Sequence, residues 1–136
     1  MDIALYESEP SEHAGLLLRA LRRDVRFQYV ALAGGGGYEV AYEEGEPDGT
    51  EGVTLINPFE VPKGEDGEFL AAWHAVREAL SGARGFLGTR LHRSDEADFR
   101  YVNQARWSSP LMVQRALSAV DAAVPFTSYP ALYLPV

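Results

Sequence analysis

Residues 85–107, GFLGTRLHRSDEADFRYVNQARW, decide how the chain is read. Residues 85–93 and 99–107 each read as a strand. Between them, Ser94, Asp95, Glu96, Ala97 and Asp98 are small or acidic and favour a turn. The second strand alternates. Phe99, Tyr101, Asn103, Ala105 and Trp107 leave on one face, and Arg100, Gln104 and Arg106 on the other, with Val102 among them. The first face is apolar apart from one amide. A buried amide is costly unless bonded, so Asn103 is satisfied by backbone or kept for a ligand.

The rest of the chain frames this hairpin. Its 136 residues suit a single core, and a hydrophobic share of 46% can fill one. A formal net charge of −8 disfavours nucleic acid and anionic membrane surfaces as partners. There is no cysteine, which removes thiolate metal sites and cysteine nucleophiles and fits a reducing cytoplasm. No basic, apolar leader opens the chain, and no apolar run approaches the roughly 20 residues needed to span a bilayer.

Upstream of the hairpin, 53–61 (VTLINPFEV) reads as a strand, with Pro58 arguing for an edge or a bulge. Phe69, Trp73, Val76 and Leu80 follow at helical spacing, and Gly82 ends that helix. Downstream, Ser109 and Pro110 start a second helix over 111–120. Residues 131–136 form a last strand. From residue 53 the order is βαββαβ, an α+β, ferredoxin-like pattern. Residues 1–44 read as strand, helix, strand, strand. The helix rests on Ala14, Leu17, Leu18 and Leu21, and Gly34, Gly35, Gly36 and Gly37 turn the last hairpin. This βαββ extension reads as a degenerate half-repeat of the main pattern. The division is therefore 1–52 as an N-terminal extension packed on a main domain over 53–136, with the acidic stretch 44–52 (EGEPDGTEG) as a solvated linker.

Asn57 with Phe59, the 85–93 strand, the run 102–107 followed by Ser108 and Pro110, and the terminal 129–133 (YPALY) together resemble the antibiotic biosynthesis monooxygenase family. The resemblance covers 53–136. It implies a dimeric α+β barrel, a homodimer in which one monomer's sheet packs on another's, with a pocket between helices and sheet in each. It also implies the oxidation of a small phenol- or quinol-type aromatic by dioxygen, with no metal, flavin or haem cofactor. An asparagine and a tryptophan of the third strand then lie at the pocket, which are Asn103 and Trp107 here. A haem-degrading branch shares an asparagine at Asn57 but needs a histidine on the second helix. Residues 111–120 contain none, which disfavours haem.

Such chemistry needs donors in a dry pocket to favour a phenolate. The Asn103 amide and the Trp107 indole N–H are donors of that type, about 13 Å apart along the strand. They are the candidate catalytic pair. Tyr101, Asn57, Arg90 and His92 are the candidate substrate-binding residues. Arg90 and His92 share a face that is either pocket or interface, because the hairpin register is open. His74 lies off the stripe of its helix and reads as exposed, like His13. With three histidines so far apart, no metal site is expected. A non-catalytic ligand-binding or regulatory protein on the same fold is the alternative.

Overall fold

The structure is a computed structural model and describes residues 4–10, 16–18, 30–31, 38–49, 51–97, 99–121 and 123–135. In chain order these form β1 (Ala4–Pro10), β2 (Leu16–Leu18), β3 (Val30–Ala31), β4 (Glu39–Gly45) and β5 (Val53–Phe59). Then come α1 (Asp66–Ser81), β6 (Phe86–Arg93), β7 (Tyr101–Trp107), α2 (Pro110–Ala119) and β8 (Ala131–Pro135). The strands make one sheet in the order β3-β2-β1-β8-β5-β7-β6-β4. Its centre, β8-β5-β7-β6, is antiparallel throughout and carries the ferredoxin-like βαββαβ connection from β5 onward. β1 joins parallel to β8, and β4 antiparallel to β6.

Two expectations about secondary structure change. The helix expected on Ala14, Leu17, Leu18 and Leu21 is not what forms at its centre. Leu17 and Leu18 instead pair with Ala31 and Val30. A run of three leucines suits a buried strand as well as a helix, and the neighbouring strand decides. The other residues of that helix, most of the 25–33 strand, the glycine turn and His13 lie outside the described residues. β5 is also central, not an edge. Pro58 is tolerated because β8 pairs only with Thr54, Leu55 and Ile56. Beyond that point the Pro58 carbonyl accepts from the Tyr129 N–H, 3.2 Å away, so its missing N–H faces the side where the ladder has ended.

Both helices lie on one face of the sheet. Register puts Val53, Leu55, Asn57 and Phe59 opposite Trp107, Ala105, Asn103 and Tyr101 on that face. The core beneath the helices has two parts. Val53, Leu55, Ala105, Trp107 and Leu132 pack against Val113 and Ala116 of α2. Phe59, Leu91 and Tyr101 pack against Phe69 and Trp73 of α1. α1 buries those two aromatics one turn apart, and Gly82 caps its C-terminus. α2 starts as its sequence dictates, with the Ser109 hydroxyl accepting from the Met112 N–H and Pro110 in the first turn.

The acidic stretch expected as a solvated linker is a strap across the opposite, outer face. Arg106 donates to the Glu46 carbonyl at 2.8 Å and the Glu51 carbonyl at 3.1 Å. Arg90 makes a bidentate pair with Asp48 at 2.6 and 2.7 Å and reaches Glu43 at 2.6 Å. Gly88 has no Cβ to strike the backbone of Glu46 and Pro47, so the strap lies flat on β6. The acidic residues thus answer outward-facing arginines on β6 and β7. A linker reading based on composition alone does not anticipate this, because those arginines come 40 to 60 residues later. Ile56, Val102 and His92 are fully buried on this face within the single chain.

His92 is held neutral here. Burial, then the neighbouring Arg90 charge, push it below the usual histidine value of 6.5. Its Nε2 meets the Gln104 Oε1 at 2.9 Å, and its Nδ1 has no partner among the described residues. Asp48 and Glu43 are the acidic groups nearby, and each is already bonded to Arg90. The unfolded chain takes up a proton near pH 6.5, while the folded chain does not until a lower pH. Stability is therefore full above pH 6.5 and falls below it, by up to about 1.4 kcal/mol per pH unit. Urea midpoints measured from pH 7.5 to 5 are expected to show this slope in wild type and to flatten in His92→Gln.

Candidate functional site

The helix-facing side of β6 and β7 is apolar at both ends and polar in the middle. Asn103 stands between the two core clusters, directly opposite Asn57 on β5. Thr89 of β6 donates its hydroxyl to the Asn103 Oδ1 at 2.7 Å and approaches the Gln104 carbonyl at 3.2 Å. The amide oxygen lies toward Thr89. The Nδ2 group is left with no partner among the described residues, as a donor beneath α1. Asn57 Oδ1 is buried and also unpartnered. Its Cβ lies about 5 Å from that of Asn103, as expected for a directly opposed pair.

Two residues beyond Ala105, the Trp107 indole is 1% exposed. It packs edge-on against Phe86, 5.3 Å between ring centres. Its Nε1–H has no partner among the described residues. Burying such a donor unsatisfied costs about 1–3 kcal/mol. Three orphaned or half-used polar groups therefore face one side of the sheet.

A cleft runs between that side and α1. It is lined by Leu55, Ala105 and Phe86 with Trp107, by Thr89 and Asn103, and by Trp73, Val76, Arg77 and Leu80 of the helix. The space between these walls is about 360 Å³, its solvent-filled mouth included. A mostly apolar wall with a few convergent donors is the usual make-up of a small-molecule site. Among the described residues, no carboxylate or imidazole lines it.

The structure brings together only part of the set expected from sequence. Asn103 and Trp107 both line the cleft, and Asn57 sits beside Asn103. Tyr101 shares their face but is occupied elsewhere. Its hydroxyl donates to Asp66 at 2.7 Å, and burial together with this bond pushes the phenol up to about 12. Arg90 and His92 are on the outer face under the strap, with the whole thickness of the sheet between them and the cleft.

Trp73, Arg77 and Thr89 were not anticipated as site residues. Trp73 was visible as part of an apolar stripe, which is also what a core residue looks like. Thr89 was hidden by a bulge between Phe86 and Gly88, which breaks the alternation along β6. Arg77 and His74 were read from their own helix alone. β4 packs beside α1, so Tyr42 meets Trp73 at 5.7 Å and His74 at 5.0 Å between ring centres. His74 is half-buried, not exposed, and its Nδ1 accepts from Arg77 Nε at 3.0 Å.

The family model for antibiotic biosynthesis monooxygenases matches residues 52–119. A candidate monooxygenase from Shewanella loihica PV-4 is 33% identical, with a TM-score of 0.57, over 62% of this chain and 93% of that one. SnoaB, a cofactor-independent oxygenase from Streptomyces nogalater, is 29% identical, with a TM-score of 0.51, over 60% of this chain and 89% of that one. LmHde, a heme-degrading enzyme from Listeria monocytogenes, shares the fold at 16% identity and a TM-score of 0.53, over 79% of this chain and 76% of that one. No curated protein matches.

Proposed function

The chain belongs to the antibiotic biosynthesis monooxygenase family, and on that footing we propose that it oxidises a small phenol- or quinol-type aromatic with dioxygen, without a cofactor. The observation that carries this reading is the unpartnered Trp107 indole N–H, buried in the same apolar cleft as the free Asn103 amide. Likeness to a cofactor-independent oxygenase supports it.

The chemistry asks little of the protein beyond its walls. A phenol whose oxygen accepts hydrogen bonds from fixed N–H groups ionises more readily. The phenol proton leaves to water at the cleft mouth, the phenolate passes one electron to dioxygen, the radical pair joins to form a carbon–oxygen bond, and the peroxide anion takes a proton back. Loss of water from the resulting hydroperoxide, with a ring or benzylic hydrogen, leaves the quinone. One oxygen atom ends in product and one in water, and the substrate supplies all four electrons. Asn103 and Trp107, about 13 Å apart along the strand, hold opposite ends of the delocalised anion, and the apolar wall excludes bulk water. Asn57 accepts from a second substrate hydroxyl. The family's homodimer through the outer sheet face enters this reading in a restricted form, since a second copy would meet the strap there.

Oxygen uptake with anthrone or a hydroquinone, on chelator-treated protein, tests the proposal. Asn103→Ala and Trp107→Phe are each expected to slow it about 100-fold, the usual loss for one donor to a developing anion. Two variants that turn over like wild type would remove the assignment. The absence of any base from the cleft favours one other reading, a ligand-binding module without turnover. A wild type that binds anthrone and consumes no oxygen would establish it.

A further inference from the structure

We infer that Arg77 is an anion-binding residue of the cleft, so that the ligand it accepts is an aromatic carrying a carboxylate or an ionised hydroxyl. The inference rests on the reading of this cleft as the ligand site and names the class of ligand.

Arg77 is the cation among the lining residues, and its side chain is only 14% exposed. What distinguishes it is how it is neutralised. Arg90 and Arg100 hold carboxylates at 2.6 to 3.0 Å. Arg106 is closed off by carbonyls at 2.8 and 3.1 Å. Arg77 reaches both Glu44 oxygens and Glu78 at 3.5 Å each, well beyond the roughly 2.8 Å of a strong charged pair. Glu78 is largely exposed, where such a pair contributes little. Among the described residues, its one shorter bond is to the His74 Nδ1 at 3.0 Å. The guanidinium is meanwhile kept in place by stacking on Tyr42, 4.7 Å from the ring centre. A partly desolvated cation, held in position and weakly paired, favours an incoming anion.

Glu44 then competes with the ligand. It comes from β4, in the stretch ahead of the family match, so the extension would set ligand preference at the cleft mouth. Trp73 of the helix and Phe86 with Trp107 of the sheet give the cleft apolar surface for the aromatic part.

The chain has two tryptophans and both line the cleft, so intrinsic fluorescence reports occupancy directly. The probes are 2-naphthoate and 2-naphthamide, alike in shape and different in charge. Neither is a phenol, so the result is independent of whether the protein is an oxygenase. Wild type is expected to bind naphthoate at least about tenfold tighter than naphthamide, the scale of one charged hydrogen bond. Arg77→Gln is expected to bring the ratio near one with naphthamide unchanged, and Arg77→Lys to keep part of it. Glu44→Gln is expected to tighten naphthoate severalfold, an effect of removing a competitor that loss of packing does not produce. Equal affinities in wild type, no binding of either probe, a preference that survives Arg77→Gln, or no gain in Glu44→Gln would each overturn the inference.

Discussion

Asp66→Ala is expected to lower the stability of the protein by about 2–3 kcal/mol at pH 7. Asp66 opens α1 and collects three interactions at once. Arg100 gives it a bidentate pair at 2.9 and 3.0 Å, and the Tyr101 hydroxyl donates to it at 2.7 Å. It also lies in the first helical turn, where a negative charge is favoured. Arg100 and Tyr101 are 8% and 1% exposed. Removing the carboxylate leaves both without their main acceptor, and breaking a buried pair from one side costs about 3–5 kcal/mol. The Val61 and Pro62 carbonyls, at 3.2 and 3.4 Å from Arg100, retain part of that. Tyr101→Phe leaves the ion pair intact and is expected to cost only about 1 kcal/mol. Urea unfolding of the three proteins at pH 7 gives the order.

The same residue sets the acid limit. Arg100 first, and Tyr101 second, pull the Asp66 carboxyl from 3.8 down to about 2. Its folded value is depressed, so its contribution is complete above about pH 3.8 and is lost as pH falls towards 2. That contribution is on the order of 2 kcal/mol. Acid titration followed by circular dichroism is expected to show the loss in wild type and a shallower curve in Asp66→Ala. Equal slopes would mean that the pair carries no net stabilisation.

Local patterns in the sequence revealed the fold wherever one strand or helix explained itself. Alternation at Tyr101, Asn103, Ala105 and Trp107 needed no neighbour, nor did the Ser109–Pro110 start of α2. Contacts between distant segments were less legible. The leucines at 16–18 satisfy a helix by spacing and a strand by composition, and only pairing with Val30 and Ala31 chooses. Arg90 and His92 could be placed on neither face until the bulge at Phe86 and Gly88 fixed the parity of β6. The candidate site divides in the same way. Asn103 and Trp107 were visible because their strand alternates cleanly. Arg77 was not, since its surroundings are built by Tyr42 and Glu44, more than 30 residues earlier.

Gly52→Ala is expected to be the more damaging of two glycine substitutions and to reach the cleft as well as the fold. Gly52 has a φ of +81°, a region that costs an L-residue about 1–2 kcal/mol. A Cβ there would also run into the carbonyl oxygen of Trp107 and crowd the Ser108 Cα at 3.2 Å. Both obstacles are backbone, so no side-chain rotation relieves them. The strain falls on the pairing of Val53 with Trp107, the end of the β5–β7 ladder. About 3 kcal/mol or more is expected in total, at the upper end of single substitutions. Because the displaced residue is Trp107, its indole should shift in the cleft. A change in tryptophan emission and weaker naphthoate binding should therefore appear in the molecules that still fold. Gly67→Ala is the control. A Cβ there meets nothing within 4 Å, and position 67 lies in the first turn of α1. Alanine should be neutral or stabilise by up to about 1 kcal/mol, since it restricts the unfolded chain. If the two variants unfold at the same urea concentration, close backbone approach at Gly52 does not position Trp107.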